Sequence, residues 1–169
     1  MDQGFQPRPG ARDNRGVKHM ALPKVFKFLR DEEHTQLLQV SERKSYKPGD
    51  VLIQEGQKQT ALFVIVKGEV KVQRDHEGFA IELSRHTTGE IFGDMSFIEG
   101  QAASASVVAG DEEVLAFVIT HAHVAQLMGQ NPAFAARFYQ SLAEILSRRL
   151  RETTGLVQKD AATVWGNPE

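Results

Sequence analysis

Apolar positions alternate through the middle of the chain and return to a helical spacing at both ends. Near the start, Val25, Phe26 and Leu29 fit a short helix with Pro23 in its first turn. Asp31 reads as the N-cap of a second short helix that buries Leu37, Leu38 and Val40. From Ser41 the period drops toward two and turn signals become frequent. Lys47-Pro-Gly-Asp50 is a turn, Val51-Leu-Ile53 a short strand, and Leu62–Val66 a buried strand. Lys67-Gly68 turns the chain into Val70–Val72, and Asp75–Gly78 forms a polar hairpin tip before Phe79–Leu83. Val107-Val108, the Gly110-Asp111 turn and Val114–Ile119 complete the alternating region. Helical spacing resumes at His121 and runs to Met128, where Gly129 reads as the stop. Asn131-Pro132 then supplies an N-cap and first-turn pair for a long helix to Thr154, with Gly155 as its terminator.

Many short strands between glycine turns predict a mainly β fold of sandwich or jelly-roll type, not a parallel βαβ sheet. The long helix carries two adjoining apolar stripes. Phe134, Phe138, Leu142, Ile145 and Arg149 form one; Tyr139, Leu142, Leu146 and Leu150 form the other. One stripe suffices to pack on the strands, so the second predicts a homodimer joined along this helix.

Composition narrows the function. The 169 residues are 41% hydrophobic and 25% charged, with net charge −2, the balance of an ordinary soluble domain with no basic field for nucleic acid or anionic lipid. Without cysteine there is no thiolate nucleophile, disulfide or cysteine zinc site. No apolar run is long enough to cross a bilayer, and the first residues lack the apolar segment of a signal peptide, so a cytoplasmic protein is expected. His121 and His123 are two residues apart at a helix start, where their rings diverge; no metal site is expected. Ser96 and Ser104 have no histidine or lysine in a triad-like order, so no catalytic residues are assigned and no enzyme is expected.

The richest stretch is Gly89–Val107, GEIFGDMSFIEGQAASASV, where glycines and a run of small residues let backbone N–H groups approach an anion closely. Taken with Pro48-Gly49-Asp50, Glu55-Gly56, Val66-Lys-Gly68-Glu-Val70, Phe92-Gly93-Asp94 and Ser104-Ala105, this stretch resembles the cyclic-nucleotide-binding domain family. That family supplies the sensor of the catabolite activator protein, of kinase regulatory subunits and of gated channels. The resemblance runs from Pro23 to Thr154 and implies an eight-stranded β-roll flanked by short N-terminal helices and a long C-terminal helix. The expected domain is residues 21–155, between a mobile tail at 1–20 and a C-terminal tail at 156–169.

The resemblance also implies a candidate phosphate and ribose pocket made of Phe92, Gly93, Asp94, Met95, Ser96, Ala103, Ser104 and Ala105. In the family a Gly-Glu pair opens a short helix whose N–H groups take the cyclic phosphate, and the glutamate takes the ribose hydroxyl. An arginine before a small-residue pair neutralises the phosphate. Here the acid is Asp94, one methylene shorter, and the arginine's position holds Ala103. No Arg or Lys occurs between Arg85 and Arg137. Thr153 and Thr154 match in type the residues that contact the base, beyond Arg148-Arg149-Leu150.

The expected function is therefore a regulatory module with a degenerate phosphate site and no cofactor, acting through a protein partner. The alternative is a working cyclic AMP or cyclic GMP sensor, or another small-anion sensor, in which an outside arginine, such as Arg85 or one from the long helix of a second copy, replaces the missing one. A sensor fragment of a transcription regulator is a second alternative, disfavoured because few residues follow the long helix.

Overall fold

The computed structural model describes residues 24–164, with side-chain surroundings through residue 155. Helix α1 (Asp31–Val40) precedes strands β1 (Glu42–Tyr46), β2 (Val51–Ile53), β3 (Ala61–Lys67), β4 (Glu69–His76), β5 (Phe79–Thr87) and β6 (Ile91–Phe92). Helix α2 (Asp94–Glu99) separates these from β7 (Ser106–Ala109) and β8 (Val114–Thr120). Helices α3 (His121–Gln130) and α4 (Pro132–Val164) follow. All strand pairings are antiparallel. One sheet has the order β1-β8-β3-β6 and the other β2-β7-β4-β5, which is the expected eight-stranded roll.

Strand alternation divides the core in two. Along β3, Phe63 and Ile65 face the opposite sheet, joining Leu52, Val70, Phe92, Val107, Val114, Ala116 and Val118. Leu62, Val64 and Val66 face the other way, against Leu37, Phe97, Val124, Leu127 and the helix α4 stripe of Phe134, Phe138, Leu142 and Ile145. A strand covered by a sheet on one face and by helices on the other must be apolar at every position, which explains the unbroken Leu62–Val66 run. The β4–β5 hairpin turns at Glu77-Gly78, both with positive φ (54° and 85°), the geometry that matches the twist of a two-residue hairpin.

The helix ends differ from expectation in four places. Residues 24–30 form an irregular segment with a turn at Lys27-Phe28, not a helix, so one short helix rather than two precedes the roll among the described residues. Phe26 nonetheless buries completely, its ring tilted against Phe138, so its apolar spacing reflects packing and not periodic structure. The N-cap of α1 is Arg30, and Asp31 is the first helical residue. Gly129 lies inside α3, which ends at Gln130 with Asn131 as C-cap. Helix α4 runs through Gly155 to Val164, because a glycine terminates a helix only where the chain turns into a left-handed residue, and otherwise merely weakens it. The expected domain end at 155 thus falls within a helix. The expected tail at 1–20, Pro23 and Trp165 lie outside the described residues.

The helices are tied together by one buried carboxylate. Glu33, on α1, accepts the Arg30 N–H at 2.9 Å, the Asn131 amide at 3.0 Å and Arg137 Nε at 2.9 Å, with a second Arg137 nitrogen closer still. The Arg137 guanidinium beside it holds the Glu33 carboxyl below the ordinary carboxylate range.

Candidate functional site

Between β6 and β7 the chain leaves one sheet, forms α2 and crosses to the other. Gly93 makes the departure possible. Its φ is 78°, and a Cβ there would lie 2.6 Å from the Ala61 carbonyl oxygen, so no side chain fits. This sets Asp94 as the first residue of α2 and packs Phe92 flat on Phe63, ring centroids 4.6 Å apart. Phe97 is fully buried under the helices, and the His121 ring stacks on it at 4.1 Å while meeting the Phe97 carbonyl at 2.6 Å. Asp94 and Ser96 are buried, whereas Met95 on the same short helix is half exposed.

The small-residue run that follows is pinned by its backbone. Ala103 donates to the Gln57 carbonyl at 3.0 Å and accepts from Gly56 N–H at 2.8 Å, so the Glu55-Gly56 turn fixes this end of the stretch. Ala103 itself is buried, Ala105 half-buried and Ser104 exposed. The eight residues expected to form a pocket thus stand along one continuous crossover, Phe92 to Ala105, anchored at both ends.

Among the described residues two guanidinium groups reach this crossover, and each is already engaged. Arg149 of α4 donates to Asp94 Oδ2 at 3.1 Å and to the Ile91 carbonyl. Arg74 shares the inward row of β4 with Val70 and Val72; its Nε and Nη2 reach the Ser104 carbonyl at 3.1 and 2.7 Å, with Glu55 Oε1 3.6 Å away. Arg85, expected as a substitute for the missing arginine, is on the outer row opposite Lys71, bound to Glu82 and Glu69. The outward placement is a matter of strand parity: Val70 and Val72 point into the roll, so Lys71 and its partner Arg85 point out. Sequence reasoning missed Arg74 and Arg149 because neither is near the crossover in the chain; only Arg149's place at the end of the core-facing stripe hinted at a contact.

Thr153 and Thr154 donate their hydroxyls to the carbonyls one turn back on their own helix, at 3.0 and 2.9 Å. Thr153 lies one turn beyond Arg149, on the same face. His121 and His123 do not converge: the His123 ring accepts the Thr120 N–H at 3.2 Å. Among the described residues no three His, Asp or Glu side chains gather as a metal site would require, and no helix is long and apolar enough to cross a membrane.

One titratable group lies beside the Asp94–Arg149 pair. His86 is largely buried on β5, 3.7 Å from Glu90, and burial together with the Arg149 charge pushes its pKa below the ordinary 6.5. Since the unfolded chain takes up this proton at higher pH, stability is complete above about 6.5 and falls as pH drops toward the folded value. Denaturant unfolding across this interval should show that loss, and His86→Gln should shrink it. An unchanged pH slope in the variant would assign the loss elsewhere.

The family model of the cyclic nucleotide-binding domain matches residues 43–131, more than half of the chain. The chain belongs to the cyclic nucleotide-binding domain family. It is 32% identical over 129 residues to the cyclic AMP receptor protein of Thermus thermophilus, covering 76% of this chain and 57% of that one. It is 29% identical over 121 residues to human cGMP-dependent protein kinase 2, covering 70% of this chain but 16% of the kinase. The chain therefore spans only part of these relatives. Among solved structures, a cyclic nucleotide-binding domain from Methylobacillus flagellatus superposes with a TM-score of 0.75 at 23% identity, covering 83% of this chain and 82% of that one. The Thermus thermophilus catabolite activator protein superposes with a TM-score of 0.65 at 29% identity, covering 81% and 62%.

Proposed function

We propose that this chain is a non-enzymatic regulatory module whose cyclic nucleotide pocket has a degenerate phosphate site, and that it dimerises through α4 and acts on a partner protein. The observation that carries this reading is Ala103, together with the commitment of Arg149, Arg74 and Arg85 to other groups. Arg149 is held by a carboxylate and a carbonyl, Arg85 by two carboxylates outside the roll, and Arg74 by a carbonyl with a carboxylate close by. Among the described residues, no guanidinium is free to meet a cyclic phosphate at residue 103. Backbone N–H groups at the start of α2 and the Ser104 hydroxyl recover part of that loss. Titration calorimetry with cyclic AMP and cyclic GMP should show weak or no binding; micromolar or tighter binding would overturn the degenerate-site reading.

Arg74 favours one alternative, a working sensor with a non-standard phosphate contact. Its guanidinium is the one that touches the small-residue run, and the side chain is half exposed. If it serves that role, Arg74→Met abolishes whatever nucleotide binding the unmodified chain has, while Arg85→Met does not.

The dimer rests on the second stripe of α4. Tyr139 and Leu150 are left exposed, with Leu146 half-buried between them, while Phe134, Phe138, Leu142 and Ile145 of the first stripe are buried. Leu150 is 68% exposed and lies along the helix from the exposed Tyr139. Sedimentation should find a dimer that Leu150→Glu dissociates. A strictly monomeric species at high concentration would remove this part of the proposal.

A further inference from the structure

The helices pack on the β1-β8-β3-β6 sheet, and the other sheet keeps an open outer face. Strand parity puts Ser106 and Val108 of β7, Gln73 and Asp75 of β4, and Ala80 of β5 on that side, each exposed or half-buried. Together with Val51, itself 52% exposed, they line a cleft of about 160 Å³. A drug-sized ligand takes a pocket of roughly 300 Å³ or more, so this cleft has the size of a single side chain.

Its two ends differ in chemistry. Val51 and Val108 are register partners and give one end a hydrocarbon wall. Asp75 and Ala80 are register partners at the other. The Asp75 carboxylate accepts the Gly78 N–H at 3.0 Å and has no ion-pair partner among the described residues. The charges around it are already matched. Glu55 lies 3.6 Å from Arg74 Nε, and the Arg74 guanidinium, which also borders the cleft, is seated on the Ser104 carbonyl. Lys71 binds Asp111 at 2.9 Å, and Arg85 binds Glu69 and Glu82. Between the two ends stand Gln73 and Ser106, again register partners. The Ser106 hydroxyl accepts the Glu55 N–H at 2.9 Å and the Gln54 amide at 3.3 Å, which uses both lone pairs and leaves its own proton to donate.

We propose that this cleft is a docking point for one arginine side chain of a partner protein. The aliphatic stem of an arginine covers the Val51–Val108 wall while its guanidinium forks onto the Asp75 carboxylate. The Ser106 proton is then placed to meet a backbone carbonyl of the partner. Charge selects this occupant: an uncharged side chain leaves Asp75 unpaired, and an acidic one is repelled by it. The cleft involves neither the Phe92–Ala105 crossover nor the second stripe of α4. Only its use by a protein rests on the reading that this chain acts on a partner.

Amide chemical shifts of the whole chain, titrated with Nα-acetyl-arginine amide at millimolar concentration, test the cleft without the partner. Saturable shifts are expected at Val51, Gln73, Asp75, Ala80, Ser106 and Val108, with Phe92–Ser96 unmoved. The citrulline counterpart keeps the shape and lacks the charge, and should bind more weakly by about threefold or more. Asp75→Asn retains an acceptor for the Gly78 N–H, so the hairpin stays formed, and this variant should bind the two probes alike. Val108→Arg supplies the chain's own guanidinium to the cleft and should abolish the shifts. Shifts that fail to saturate, that scatter over the surface, or that are equal for the two probes in the unmodified chain overturn the proposal and leave the proposed function standing. Micromolar binding of a cyclic nucleotide beside a working arginine cleft does the reverse: it removes the degenerate-site reading and leaves this docking point in place.

Discussion

Ala103→Arg is expected to raise the affinity for cyclic AMP about a hundredfold or more. A guanidinium paired with a phosphate contributes about 1.5–3 kcal/mol, and leaving a partly buried anion unpaired costs roughly 3–5 kcal/mol. At about 1.4 kcal/mol per decade, even the lower end of that penalty amounts to about two decades. The backbone at residue 103 is held on both sides, by the Gln57 carbonyl at 3.0 Å and the Gly56 N–H at 2.8 Å, so the new side chain starts from a fixed point. Ala103→Leu supplies bulk without charge and should give no gain. Calorimetry of the three proteins side by side checks this; a similar affinity in all of them would mean that residue 103 is not where the deficit lies.

The largest expected effect on stability is at Glu33. Glu33→Ala strands the Arg30 N–H, the Asn131 amide and the Arg137 guanidinium, which the carboxylate now joins across α1, the end of α3 and the start of α4. Breaking a buried charge pair from one side costs about 3–5 kcal/mol, and the partial exposure of Arg137 places the expectation near the lower figure. Because the folded-state pKa of Glu33 is depressed, its contribution is complete above the ordinary value of 4.5 and is lost as pH falls through the folded value. Denaturant unfolding at neutral pH should show the destabilisation, and the gap between Glu33→Ala and the unmodified protein should narrow in acid. A loss under about 1 kcal/mol at neutral pH would show that the cluster is replaceable by water.

The fold was legible in the chain because its strands and turns are encoded locally. Alternation, the unbroken run at Leu62–Val66 and the turn residues each fix a short segment, and the segments agree with one another. Helix ends were read less well. Gly129 and Gly155 look like stops in one dimension, yet both lie within helices. Phe26 and Leu29 have helical spacing but pack from an irregular segment, since a core constrains where a side chain lands more than how its backbone gets there.

The sequence by itself determined the family and the place of the Phe92–Ala105 crossover, and it carries the alanine at 103 on which the degenerate-site proposal rests, because each is a matter of which residue occupies a given position in a local motif. Only the tertiary structure decided where the remaining charges go. Arg85 faces outward through strand parity, Arg74 arrives from the neighbouring sheet strand, and Arg149 reaches Asp94 from a helix more than fifty residues away. A long, charged side chain takes whatever partner the fold brings within a few ångströms, and that distance is unrelated to separation along the chain.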